Sequence, residues 1–407
     1  MHCPGTRCEA APVVRWAVCA LLVAALVGLT LQAATRPGAA AEAAPVPSRS
    51  ASALAPAALA ASAPTLERKA RNLGTVFLTG RTSQRRARLV LQRRTSTKRW
   101  VRAERLTSRK HRFRTVVWKK PRRTAYRVVD RSSGRSRGRH SSVRKVPRLR
   151  VTRDGCGVRP LKSNGSPWRC SFHDDFTGSA LDTSKWTIQR DGFITGDPPG
   201  AAACYSGKNV SVRDGSLRLV ARAAGLLECP GLTGILKTFT SGMVSTHDKW
   251  SQRNGLFEAR IHNTATTARG LHEAYWLWPD HRFGAVNGDE IDISETYSVY
   301  PSISVPYLHY GADDGAVVSG RDQNTAYDCV AQRGSWNTYR MQWSAKRIRI
   351  WVNDRLCLSN SSGSSAFRKR YIMMFTQALG SGTNGYNLLA PPPMPATMKV
   401  DYARVWR

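Results

Sequence analysis

From Asn209 to Trp406 the chain returns repeatedly to short runs in which apolar and polar residues alternate, and this period of two limits the fold more than any other feature. Such runs occupy 209–221, 239–246, 255–261, 274–278, 339–343, 348–352 and 398–406. Alternation sends successive side chains to opposite faces of an extended chain, so each run has an apolar face that must be covered. Asp214-Gly215 divides the first run in two and supplies a hairpin turn. Spacings that would mark helices are scarce. Two antiparallel sheets packed face to face cover every run, so an all-β sandwich is the expectation for 156–407.

One run is acidic and breaks the period. In Gly288-Asp-Glu-Ile-Asp-Ile-Ser-Glu295, Glu290 and Asp292 point one way while Ile291 and Ile293 point into a core. Strict alternation would turn Glu295 inward, a costly place for an unpaired carboxylate. A β-bulge between Asp292 and Glu295 returns Glu295 to the face of the other two acids. Like charges aligned on a sheet repel, so such a row points to cation binding or acid–base work, with a solvated strand face as the alternative.

The 407 residues are enough for two domains. Arg7 and Arg15 precede an uncharged run from Trp16 to Leu31 and the Ala-x-Ala steps at 39–41 and 41–43. This pattern reads as a secretory signal over 1–41. A retained signal anchor is the weaker reading, because the apolar run is short for a membrane span. Residues 42–66, almost all Ala, Pro and Ser, read as a linker. Of nine cysteines, Cys3, Cys8 and Cys19 fall in the signal. The other six favour pairing with their sequence neighbours, Cys156 with Cys170, Cys204 with Cys229 and Cys329 with Cys357, as suits an exported chain. A zinc site is disfavoured, since no two of them stand two to four residues apart.

Net charge is +36, and residues 67–153 carry most of it, with thirty-one Lys and Arg against Glu67, Glu104 and Asp130, a net +28. Apolar residues also alternate inside this block, at 75–79, 88–92, 113–118 and 126–129, which predicts a small β-sandwich over 67–155 in place of a basic tail. The block resembles the immunoglobulin-like accessory modules of secreted bacterial enzymes. A module so charged accumulates on polyanions, and an anionic cell-wall polymer is the expected partner. Nucleic acid is disfavoured, because export separates the chain from it and no helix-turn-helix, zinc or RNP pattern is present. A solvated, arginine-rich spacer is the competing reading.

Taken in order, the runs from Phe172 to Trp406 resemble glycoside hydrolase family 16, the jelly-roll endoglucanases and galactanases. The stretches that carry the resemblance are Asp174-Asp-Phe, Leu181-Asp with Trp186, Asn209-Val with Asp214-Gly-Ser-Leu, Phe257-Glu-Ala-Arg-Ile, Tyr275-Trp-Leu-Trp-Pro and Val400-Asp-Tyr-Ala-Arg-Val. The acidic run fits the E-x-D-x-x-E form of laminarinase-like members, not the unbulged form of lichenases. The resemblance implies that Glu290 is the nucleophile, Glu295 the general acid/base and Asp292 the residue that adjusts their charge. A retaining glycosidase requires such a set, with two carboxyls ~5–5.5 Å apart, one ionised and one protonated.

Sugar rings present flat C–H faces, and Trp276 and Trp278 share a strand face that can receive them. The resemblance places Trp276 near the cleavage point and His309 opposite the acids, with Tyr205 and Gln377 as further substrate-binding candidates. It also implies a structural Ca²⁺ held by Asp401 with a carbonyl near Gly215, and no cofactor for catalysis. Loops 191–204 and 378–395 match no subgroup. Substrate therefore stays open between β-1,3-glucan, which is favoured, and mixed-linkage glucan or a galactan, as does hydrolysis against transglycosylation. A non-catalytic glycan-binding lectin is the reading from another class, and three apposed carboxylates weigh against it. The expectation is a secreted or wall-associated retaining endo-β-glycanase, monomeric by default.

Overall fold

The computed structural model describes residues 62–132, 138–190, 203–284, 286, 288–311 and 315–407, with the backbone of Ile194–Thr195. The signal, most of the linker and much of the loop 191–204 lie outside the described residues.

Seven strands form the sheet that carries the acidic run. They are β1 (Thr187–Ile188), β2 (Met243–Ser245), β3 (Leu271–Pro279), β4 (Glu290–Tyr297), β5 (Ile303–His309), β6 (Cys329–Val330) and β7 (Tyr371–Leu379). Their order across the sheet is β1-β2-β7-β3-β4-β5-β6, every pair antiparallel. A second sheet, eleven-stranded among the described residues, has Ala396–Trp406 near its middle, with Gly255–His262 on one side and Ser216–Glu228 on the other. The inner faces share one core, in which Tyr275, Leu277, Ile291, Ile293 and Phe375 meet Phe257, Ile261, Tyr339, Trp343 and Val400. This is the expected jelly-roll β-sandwich. It leaves the outer faces of β3 and β4 turned away from the second sheet, where they can form a cleft.

Local chemistry fixes its turns. Asp214 and Gly215 have φ of 52° and 67°, the left-handed pair that a two-residue hairpin needs, and join Val210–Arg213 to the strand beginning at Ser216. The run 239–246, continuous in sequence, divides into Leu236–Ser241 in the second sheet and β2 in the first. Gly242 stands at the crossing, where a Cβ would come within 2.6 Å of the Asn209 carbonyl oxygen. The three expected cysteine pairs are disulfides.

The basic block is built from two sheets as well. Glu67–Ala70, Thr75–Arg81 and Arg112–Trp118 form one, and Trp100–Thr107, Arg88–Arg94, Thr124–Asp130 and Arg144–Val146 the other. Phe113, Thr115 and Val117 point inward while Arg112 and Arg114 point out, so one strand supplies both the core and the charge. That core includes Leu66, Leu78, Leu89, Leu91, Tyr126 and Val128. Leu66 is 1% exposed in this core, although sequence alone reads it as the end of the linker, because a lone Leu after Ala and Pro gives no periodic signal. At the other end, Arg153–Asp154 pairs with Gly157–Val158, and Asp154 accepts the Cys170 N–H at 2.9 Å.

Candidate active site

The expected bulge is present. Between Asp292 and Glu295 the pairing of β4 slips by one residue against both neighbours, with Asp292 opposite Trp276 and Tyr307 and Glu295 opposite Ala274 and Val305. Ile293 and Ser294 both turn inward, where Ser294 Oγ accepts a hydrogen bond from Ser304 Oγ at 3.0 Å. Glu295 thereby joins Asp292 on the outer face, since Trp276 and Ala274 are two residues apart on β3.

Each acid has its own environment. His309 Nε2 lies 3.1 Å from Asp292 Oδ2, and its ring stacks on Tyr307 with centroids 4.4 Å apart. Burial pushes the Asp292 carboxyl up to about 6, with the charge of Glu295 adding to the shift and His309 opposing it. Glu295 is held by two groups absent from the sequence-based set: His272 Nε2 at 3.0 Å and the Tyr297 hydroxyl, which donates at 2.7 Å. The His272 and Tyr297 rings stack 5° from parallel. Burial raises the Glu295 carboxyl, but the hydrogen bonds and charge of these partners outweigh it and leave the group below its ordinary range. Continuing the period of two would have found both residues, since His272 is four before Trp276 on β3 and Tyr297 two after Glu295 on β4.

Trp276 and Trp278 stand on the outer face, half-buried and edge-to-face with centroids 6.0 Å apart. Trp276 Nε1 donates to Thr376 Oγ1 at 2.8 Å, which fixes its ring. Both pack on a small cluster containing Tyr205, Met243 and Met374. Gln377 does not join them. It lies opposite Glu273 in the β3–β7 pairing, on the inner face and wholly buried. Sequence could not assign its face, because β7 is apolar throughout its first five residues and does not alternate. Asp401, the residue expected to hold calcium, is paired with Arg260, whose Nη1 lies 2.7 Å from Asp401 Oδ2.

Comparison with known proteins agrees with this architecture. The family model for glycosyl hydrolases family 16 matches residues 200–404. Glucan endo-1,3-beta-glucosidase A1 of Niallia circulans is 25% identical over 258 residues, which cover 58% of this chain and 37% of that protein. Beta-glucanase of Rhodothermus marinus is 25% identical over 185 residues, covering 42% of this chain and 63% of that protein. The chain therefore spans less than two thirds of the length of either relative. The solved endo-beta-1,3-glucanase of Pyrococcus furiosus superposes with a TM-score of 0.50 at 22% identity, over 61% of this chain and 97% of that one, a likeness of fold. With half its length matched by the family model and the bulged acidic strand on an open jelly-roll face, the chain belongs to glycosyl hydrolases family 16.

Proposed function

We propose that this chain is an exported retaining endo-β-glycanase acting on β-glucan, with β-1,3-glucan favoured. The observation that carries the reading is the bulge that aligns Glu295 with Asp292 on the outer face of β4, the strand that Glu290 opens. Glu290 attacks the anomeric carbon and forms a glycosyl-enzyme, while Glu295 gives its proton to the departing oxygen. Water then replaces the leaving group, Glu295 takes its proton, and the bond to Glu290 breaks with retention. In the ligand-free site burial favours the neutral form of Asp292, while the hydrogen bonds from His272 and Tyr297 favour the charged form of Glu295. A sugar that covers Glu295 strips water from it and moves the balance toward the protonated acid.

Trp276 and Trp278, with Tyr205 behind them, supply apolar surface for sugar rings, and His309 positions Asp292. The bulged spacing and the activities by which the relatives are named favour β-1,3 linkages. Incubation with laminarin, lichenan, agarose and xyloglucan, followed by product sizing, tests this. Short oligosaccharides from laminarin at retained configuration are expected, and no product from any of the four would overturn the reading.

The proposed organisation is signal 1–41, linker 42–66, module 67–155 and catalytic domain 156–407. We propose that the module, with its two small sheets, is an immunoglobulin-like sandwich. Its surplus of cations supports retention on an anionic wall polymer. Full-length protein should bind purified cell walls at low salt and elute as salt rises, and failure to bind at low salt would leave a spacer.

A further inference from the structure

We propose that His247, Asp248 and His281 form a binding site for one divalent transition-metal ion of the Zn²⁺ type. The three residues come from the turns that follow β2 and β3, the strands on either side of β7. His247 Nε2 lies 3.3 Å from Asp248 Oδ2, and His281 Nε2 lies 3.5 Å from Asp248 Oδ1. A tetrahedral ion with bonds of about 2.0–2.1 Å separates its ligand atoms by about 3.3 Å. Each imidazole already stands at close to that distance from one oxygen of the Asp248 carboxylate, a different oxygen for each ring. The two rings are tilted by 31° with centroids 4.8 Å apart, and one ligand atom from each residue lies within 4.8 Å of the others. The remaining ligand-to-ligand distances have to close, and the His247 and His281 side chains, 40% and 51% exposed, are not locked in a core.

Two features favour an ion at this place. Asp248 has a φ of 58°, a left-handed conformation that holds its carboxylate between the two rings. Arg282 Nε lies 3.9 Å from Asp248 Oδ1, but its guanidinium is engaged by two hydrogen bonds to Asp280 at 2.9 and 2.8 Å. Two imidazoles and a carboxylate suit a borderline ion, and water completes the fourth position. Other groups with metal-ligand spacing among the described residues are spoken for: Cys156 and Cys170 are joined in a disulfide, and Glu290, Asp292 and His309 belong to the cleft. An ion at His247, Asp248 and His281 would tie β2 to β3 across the start of β7.

The test uses the full chain with Zn²⁺ as the probe. Diethylpyrocarbonate modification of His247 and His281, read by peptide mapping, resolves these rings from every other histidine. Saturating Zn²⁺ should slow modification of both by about tenfold, and Asp248→Asn, which keeps a residue tolerant of positive φ, should raise the Zn²⁺ needed. In His247→Ala, His281 should lose its protection. Unchanged rates in millimolar Zn²⁺, or protection of His281 that survives His247→Ala, would overturn the site. Neither result bears on hydrolysis, because the acids of β4 are untouched.

Discussion

His272 Nε2 lies 3.0 Å from Glu295 Oε1, and the same oxygen accepts the Tyr297 hydroxyl at 2.7 Å. Two donors on one carboxylate oxygen stabilise its charged form, which sets how readily Glu295 can serve as an acid. Tyr297→Phe removes one donor and leaves the ring stacked on His272. The Glu295 pKa then rises, so the protonated form survives to higher pH. The alkaline limb of the kcat/KM profile should move to higher pH. A limb that stays or moves down would show that Glu295 does not set it.

The roles of Glu290 and Glu295 separate by chemical rescue. Glu290→Gln and Glu295→Gln should each lower hydrolysis of polymeric β-glucan by about 10³-fold or more. Glu295→Ala with azide and an activated aryl glycoside should recover turnover, because that leaving group needs no proton and azide can intercept the glycosyl-enzyme. The azide product should retain configuration. In Glu290→Ala, azide attacks the substrate itself and the product is inverted. Absence of rescue at Glu295 would count against its acid/base role.

Asp292 links the site to stability. Its carboxyl is pushed from 3.8 to about 6, chiefly by burial, so the fold favours the neutral form. That favour is fully present below pH 4 and is lost as pH rises through 6, where ionisation puts a charge in a dry site. Asp292→Asn keeps the shape and cannot ionise. Relative to the parent, its unfolding free energy should gain on the order of 1–3 kcal/mol between pH 4 and pH 8. Denaturation at both pH values measures the difference, and a flat difference would remove burial as the cause.

The acidic strand and its bulge were legible because three carboxylates that cannot turn into an apolar core fixed the register by themselves. The paired tryptophans were legible from the same period of two. Gln377 was misplaced because β7 is buried on both faces and gives no alternation to read. The divided run at Gly242 was invisible for a different reason. A change of sheet needs only one residue that can approach the Asn209 carbonyl, and no pattern marks it. The pairing of Asp401 with Arg260 was not legible either, since the two stand 141 positions apart in the chain.

The inner face behind Glu295 holds a buried ion pair that sequence gave no reason to join. Glu273 Oε2 and Arg333 Nη2 lie 2.6 Å apart, with side chains 0% and 2% exposed. Glu273 also accepts from the Thr264 N–H and Oγ1, while Arg333 Nε donates to the Thr264 carbonyl. Arg333→Met should therefore cost about 3–5 kcal/mol, because it strands a desolvated carboxylate. Glu273→Leu combined with Arg333→Met removes both charges and should cost much less than Arg333→Met alone. Urea denaturation of the single and double variants gives the comparison. If the double variant is as unstable as the single one, the loss comes from packing and hydrogen bonds around Arg333 and not from the unpaired charge of Glu273.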